Sequence, residues 1–228
     1  MSGLPLPPKG LRMGGAHFAA DAALVAAALA DVEKLKRHAG LDESSQLLDF
    51  GCGAGRLAIG VAEVFGRIGL YRGVDVQKDL IVWAERNIGA RPGFEFVTID
   101  DANERYNPRG LASHRLPDAD SSFDIVHAYS VFSHMRGDDV DAYLGEFVRV
   151  LKPDGRAYLT AFVEDAVPPE VVNPPGYRRL LWFGNLHCVR YEREAFERKL
   201  STAGFRVAHF EHGVETDGQS LYVACRGD

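Results

Sequence analysis

Positive charge is in short supply in this chain: 26 lysines and arginines face 32 aspartates and glutamates, a formal net charge of −6 over 228 residues. That balance offers no general attraction to a phosphate backbone and argues against a nucleic-acid partner. Cysteine is scarcer. Cys52, Cys188 and Cys225 form no C-x-x-C pair, and none stands at metal-ligand spacing from a histidine, so neither a disulfide framework nor a cysteine-bound metal is expected. This usage suits a reducing compartment, and a cytoplasmic location is expected. The amino terminus has no basic region followed by an apolar leader. The alanine-rich stretch from Ala19 to Val32 is broken by Asp21 and Asp31, too short and too interrupted to span a bilayer, so no membrane partner is expected either. There is no internal repeat and no low-complexity tract. What remains is ordinary globular composition, 46% apolar and 25% charged, at a length that fits one α/β domain with additions.

Against that background one stretch stands out: Leu47-Leu48-Asp49-Phe50-Gly51-Cys52-Gly53-Ala54-Gly55-Arg56. It reads as a buried strand running into a glycine turn that opens a helix, whose apolar pattern continues through Leu57, Ile59, Val61 and Val64. Three alternating glycines let backbone approach a ligand without an intervening Cβ, and the first N–H groups of the helix face outward. A nucleotide-like ligand is expected there. A dinucleotide fingerprint, G-x-G-x-x-G, needs its third glycine where Arg56 stands, which argues against a nicotinamide cofactor. Cys52, inside the turn, reads as a small residue that fits rather than a reactive thiol.

The rest of the chain alternates strand and helix. A helix is expected from about Asp21 to Arg37, with Leu24, Ala28, Val32 and Leu35 near one face, ended near Gly40. Strands are expected at Gln46–Phe50, Tyr71–Val76, Phe94–Ile99, Phe123–Tyr129 and Arg156–Phe162, with helices from about Arg56, Asp79 and Asp138 between them. In the last of these helices Val140, Tyr143, Leu144, Phe147, Val148 and Leu151 recur at helical spacing. Lys152-Pro153-Asp154-Gly155 reads as a turn. Such alternation predicts a parallel sheet whose ligands sit beyond the carboxyl ends of its strands. A proline- and aromatic-rich insertion follows at about 164–191, holding Tyr177, Trp182, Phe183 and His187, with Tyr191 at its edge. A final helix at Glu192–Ala203 and strands at Phe205–Glu211 and Ser220–Cys225 complete the pattern.

The D-x-G-x-G-x-G turn, the acids that close strands two and three, and the terminal strand pair resemble the class I S-adenosylmethionine-dependent methyltransferases over about four fifths of the chain. The resemblance implies an α/β, Rossmann-like fold: a seven-stranded, mostly parallel sheet with helices on both faces and an antiparallel last strand. Residues 1–45 would form an amino-terminal lid and helix, and residues 46–228 the methyltransferase domain. It further implies that S-adenosylmethionine is the cofactor. Asp49, Phe50, Gly51, Cys52, Gly53, Gly55 and Arg56 would hold its methionine portion, Asp75 with Val76 its ribose, and Asp100, Asp101 and Ala102 its adenine, with Tyr129 and Ser130 at the same edge. A divalent metal is not expected, because metal-dependent members carry further acids after strand four and this chain has His127-Ala128-Tyr129-Ser130.

Tyr129-Ser130-Val131-Phe132-Ser133-His134-Met135 resembles the S-x-F-x-H-L pattern of a small-molecule, often O-methylating, subset. His134 is the first candidate for general base, since imidazole titrates near neutral pH, and His187 is its rival. A histidine just before a helix can equally organise the loop, and the insertion's aromatic residues can equally be a satellite cluster on the sheet. Asn103–Gly110, longer than a direct connection requires, is a candidate lining for a substrate site. The implied activity is metal-independent methyl transfer to a hydroxyl of a sugar or other secondary metabolite, by a monomer or homodimer. Small amines as acceptors, a noncatalytic cofactor-binding module, and more remotely an NAD(P)-dependent oxidoreductase stay open as alternatives.

Overall fold

A computed structural model describes residues 3–111 and 113–227, so Met1, Ser2, Ala112 and Asp228 lie outside it. The chain divides into two compact units, Met1–Ile99 and Asp100–Asp228.

The first unit holds α1 (Asp21–Ala39), β1 (Gln46–Phe50), α2 (Arg56–Phe65), β2 (Leu70–Asp75), α3 (Lys78–Asn87) and β3 (Phe94–Thr98). Strand β2 pairs in parallel with β1 on one side and β3 on the other, with Asp49 opposite Gly73 and Asp75 opposite Thr98. Helix α1 buries Leu24, Ala28, Val32 and Leu35, as their spacing predicts, and Gly40 ends it in the left-handed region. It packs against α2 at very close range. A Cβ on Gly60 would stand 2.3 Å from the Ala28 carbonyl oxygen, so only glycine allows the two helices to meet there.

The second unit holds β4 (Phe123–Ala128), α4 (Gly137–Val150), β5 (Leu151–Glu164), β6 (Glu170–Val172), β7 (Val189–Glu192), α5 (Arg193–Ala203), β8 (Phe205–Glu211) and β9 (Ser220–Arg226). Strands β4 and β5 are parallel; β9 runs antiparallel to β5, and β8 antiparallel to β9. Helix α4 buries Val140, Tyr143, Leu144 and Phe147, the face its periodicity predicts.

The architecture is α/β and Rossmann-like, with a mixed, mostly parallel sheet and an antiparallel carboxyl-terminal part. Two features go beyond the expectation from sequence. The insertion is not strandless: β7 extends the sheet in parallel from the end of β5, and β6 pairs antiparallel with β7, so the described strands number nine. The turn at Lys152–Gly155 lies within β5, where the pairing jumps from Phe123 opposite Leu151 to Ile125 opposite Arg156. The four residues bulge out of the ladder without ending the strand.

Candidate active site

Within the first unit, β1 carries Asp49 and Phe50 to its end as buried residues, and the chain then turns through Gly51, Gly53 and Gly55 at φ of 77°, 56° and 81°. Residues with a Cβ adopt these angles at a cost that glycine avoids. The turn is pinned from β2: Gly51 and Cys52 N–H both donate to the Val74 carbonyl, at 2.8 and 3.1 Å. Asp75, at the end of β2 and 8% exposed, accepts from Gly53 N at 2.9 Å through one carboxylate oxygen and from Gln77 N at 2.8 Å through the other. Burial raises its pKa and these backbone bonds oppose the rise. Each oxygen keeps a second lone pair, so the same carboxylate that fixes the turn still has acceptors for a ribose diol.

Other first-unit groups have structural partners. The Tyr71 hydroxyl donates to Asp49, and burial pushes the phenol's pKa well above its ordinary value. Arg56 pairs with Asp31 of α1 and lies over the Phe18 ring at 5.0 Å, joining α2 to the preceding segment. Burial likewise raises the Cys52 thiol well above the usual range, in keeping with a small packing residue rather than a thiolate nucleophile. The amino-terminal segment reaches this turn. Met13 Sδ accepts from Gln77 Nε2 at 3.6 Å, and Met13 Cγ lies 3.4 Å from where a Gly53 Cβ would be. Arg12 fixes that placement through Pro7 O at 2.8 Å, Phe18 O at 3.0 Å and Asp21.

In the second unit the adjacent acids have different surroundings. Asp101 is buried, accepting from Ser113 Oγ at 2.6 Å and from the Tyr143 hydroxyl. Ala102 N–H is taken by the Leu111 carbonyl at 2.6 Å. Asp100 is exposed and accepts from Asn107 Nδ2 at 3.1 Å. Asp101 therefore closes the 101–113 excursion onto α4, and Asp100 is the acid that faces solvent with acceptor capacity to spare.

Beyond β4, Tyr129 donates to Glu215 at 2.9 Å and stacks on His127. Ser130 follows at φ 58°, an uncommon angle for a residue with a Cβ. Its N–H donates to Thr160 Oγ1 at 2.7 Å, and its hydroxyl accepts from Gln219 Nε2 at 2.7 Å. Thr160 itself donates to Gln219 Oε1 at 2.9 Å, closing a three-residue network that holds the turn. A 3₁₀ turn, Phe132–His134, comes next.

His134 Nδ1 lies 2.9 Å from the Leu186 carbonyl. A carbonyl only accepts, so Nδ1 carries the proton, and the neutral ring presents its lone pair at Nε2. Burial lowers the pKa to about 4; backbone hydrogen bonding at Leu186 and His187 opposes this, while the positive charge of Arg105 adds to it. The ring is neutral at pH 7. Tyr106 meets it edge-on at 5.4 Å, and the His134 carbonyl accepts from Asn103 Nδ2 at 2.9 Å. The excursion and the insertion are also stitched to each other: Arg105 Nη1 donates to Asn185 O at 3.2 Å, and Asn185 Nδ2 to Glu104 O at 3.2 Å.

The insertion's aromatic residues divide by role. Tyr191 is buried and bonds the Met135 carbonyl. Tyr177 and Trp182 pack edge-on against Phe162 of β5 at 5.6 and 5.5 Å, as a satellite cluster does. His187 sits between Trp182 and Phe183, 5.2 and 5.5 Å from their ring centres, and its Nδ1 accepts from Phe183 N at 3.3 Å. Desolvation, with help from Arg105, lowers its pKa too. Arg105, Tyr106, Asn185, Thr160 and Gln219 were not singled out from sequence. The unusual length of the Asn103–Gly110 piece was the one signal pointing toward the first two.

Residues 48–157 match a family described as "Methyltransferase domain". An O-methyltransferase, resE, of Aspergillus sclerotiorum is 31% identical over 184 residues, covering 78% of this chain and 62% of that protein. The chain spans between 34% and 62% of the length of five curated relatives that it matches. The structure of 1,6-didemethyltoxoflavin-N1-methyltransferase of Burkholderia thailandensis superposes with a TM-score of 0.61 at 18% identity, over 90% of this chain and 80% of that one. A 4+2 cyclase, SpnF, superposes with a TM-score of 0.64 at 20% identity, over 91% and 82%. This fold thus serves both an N-methyltransferase and a cyclase, and the fold alone does not name a substrate. Among the described residues, no helix is long and apolar enough to cross a membrane.

Proposed function

Since this chain belongs to the class I S-adenosylmethionine-dependent methyltransferases, with S-adenosylmethionine as the cofactor, we propose that it transfers a methyl group to a hydroxyl of a small molecule, a sugar or other secondary metabolite, without a metal. The cofactor, when bound, supplies an electrophilic methyl on a sulfonium. The glycine turn fits its methionine portion because three positive-φ glycines keep side chains out of the cradle, and Asp75 has acceptors left for the ribose.

The observation that carries the hydroxyl reading is the fixed tautomer of His134. With Nδ1 held by Leu186 O, Nε2 is an acceptor that orients an acceptor O–H. An imidazole with pKa near 4 does not strip an alcohol in advance. A methylated acceptor oxygen would be an oxonium far more acidic than this imidazolium, and His134 Nε2 would take its proton. Positioning supplies the remainder of the rate. Asp101 contributes no metal ligand in this reading, because Ser113 and Tyr143 hold its two oxygens.

The test is methyl transfer from radiolabelled S-adenosylmethionine to paired acceptors that differ only in hydroxyl or amine. Label should appear in the hydroxyl members, and His134→Ala should lower kcat with little change in cofactor affinity. Label confined to amines would replace the hydroxyl reading. No label in any acceptor, with cofactor bound, would favour a noncatalytic module.

A further inference from the structure

Arg105 stands in the excursion that borders His134, and its surroundings are incomplete. Its guanidinium lies over the Tyr106 ring at 5.4 Å and spends one N–H on the Asn185 carbonyl. Its Nε is enclosed by protein and has no hydrogen-bond partner. Among the described residues no carboxylate pairs with it; the adjacent acid, Glu104, is turned to Arg136 at 2.8 Å instead. The Arg105 charge is felt, since it depresses both imidazoles of the site.

The enclosed Nε is out of a ligand's reach, but the half-exposed outer edge of the guanidinium keeps N–H groups with no carboxylate partner, and an oxyanion accepting from that edge would stabilise them. We propose that the methyl acceptor is an anionic small molecule whose carboxylate or phosphoryl group pairs with Arg105 while its hydroxyl meets His134. This rests on the acceptor site proposed above and adds the substrate's charge class to it.

The closing experiment has a binding arm and a turnover arm. With the full chain loaded with S-adenosylhomocysteine, calorimetry measures binding of matched hydroxy acids, hydroxy phosphates and the neutral amides of the same acids. The acids or phosphates should bind more tightly than the amides. Arg105→Gln should weaken the anions by about ten- to a hundredfold, the loss of a charge-assisted bond, and leave the amides within about twofold. Arg105→Lys, which keeps the charge and loses the fork, should fall between. S-adenosylhomocysteine affinity unchanged in both variants shows that the fold is intact. Amides bound as well as anions by the wild type, or Arg105→Gln weakening both alike, overturns the proposal. The turnover arm separates the two ideas: Arg105-dependent anion binding without methyl transfer upholds the anion site and removes the methyl-transfer reading, whereas transfer to neutral acceptors does the reverse.

Discussion

His134 ties the stability of this protein to pH in a way that its structure lets one calculate. Its pKa falls from 6.5 to about 4 in the fold because burial disfavours the imidazolium. The unfolded chain protonates this ring near pH 6.5, and the folded protein does not until about pH 4, so between those values the unfolded state binds one more proton. Stability then rises with pH across the window and is lost as pH falls through it. The slope is about 1.4 kcal/mol per pH unit, and the whole effect about 3 kcal/mol. The perturbation is His134→Gln, whose side chain retains an N–H for Leu186 O and does not titrate. Urea denaturation of both proteins at pH 7.5, 6, 5 and 4 gives the difference between them. The wild type should lose its stability relative to the variant steadily from pH 6.5 to 4, with no change in the difference above pH 7.5. A difference that is the same at every pH would refute the neutral, enclosed imidazole and with it the assignment of Nε2 as the acceptor.

Two further outcomes follow from first-unit geometry. Asp75→Ala should weaken S-adenosylhomocysteine binding by on the order of 1 to 3 kcal/mol, through loss of charge-assisted bonds, and Asp75→Asn by less, because its amide oxygen can still accept from Gly53 N; calorimetry that finds no change removes the ribose assignment. Gly60→Ala should lower the urea midpoint by an amount equivalent to about 1 to 3 kcal/mol, since its Cβ meets the Ala28 carbonyl at 2.3 Å. The matched control, Gly145→Ala in α4, has nothing within 4 Å and should hold or raise stability by up to about 1 kcal/mol. Equal effects of the two would contradict the close helix contact.

Much of the fold was legible because its signals are local. Strand β1 and helix α2 have the bounds expected from the apolar run and the glycine turn, and the buried faces of α1 and α4 follow their periodicity. The two short strands of the insertion were not legible: β6 has three residues and β7 four, too few for alternation to register among the surrounding prolines. At the site, residue type and strand-end position marked Asp75, Asp100 and His134. Register favours Asp100 over its neighbour Asp101, but the partners that bury Asp101, Tyr143 and Ser113, reach it from elsewhere in the chain and could not be read. The same holds for Arg105. Its significance lies in the partners it lacks, and a missing partner has no signature in a linear sequence.

The central claim, that the glycine turn and Asp75 recognise an adenosyl sulfonium and not a dinucleotide, is tested most directly by one calorimetric comparison on the purified chain. S-adenosylhomocysteine should bind with one-to-one stoichiometry, in competition with S-adenosylmethionine, while NAD and NADP give no heat. Binding of either dinucleotide, with none of S-adenosylhomocysteine, would contradict it.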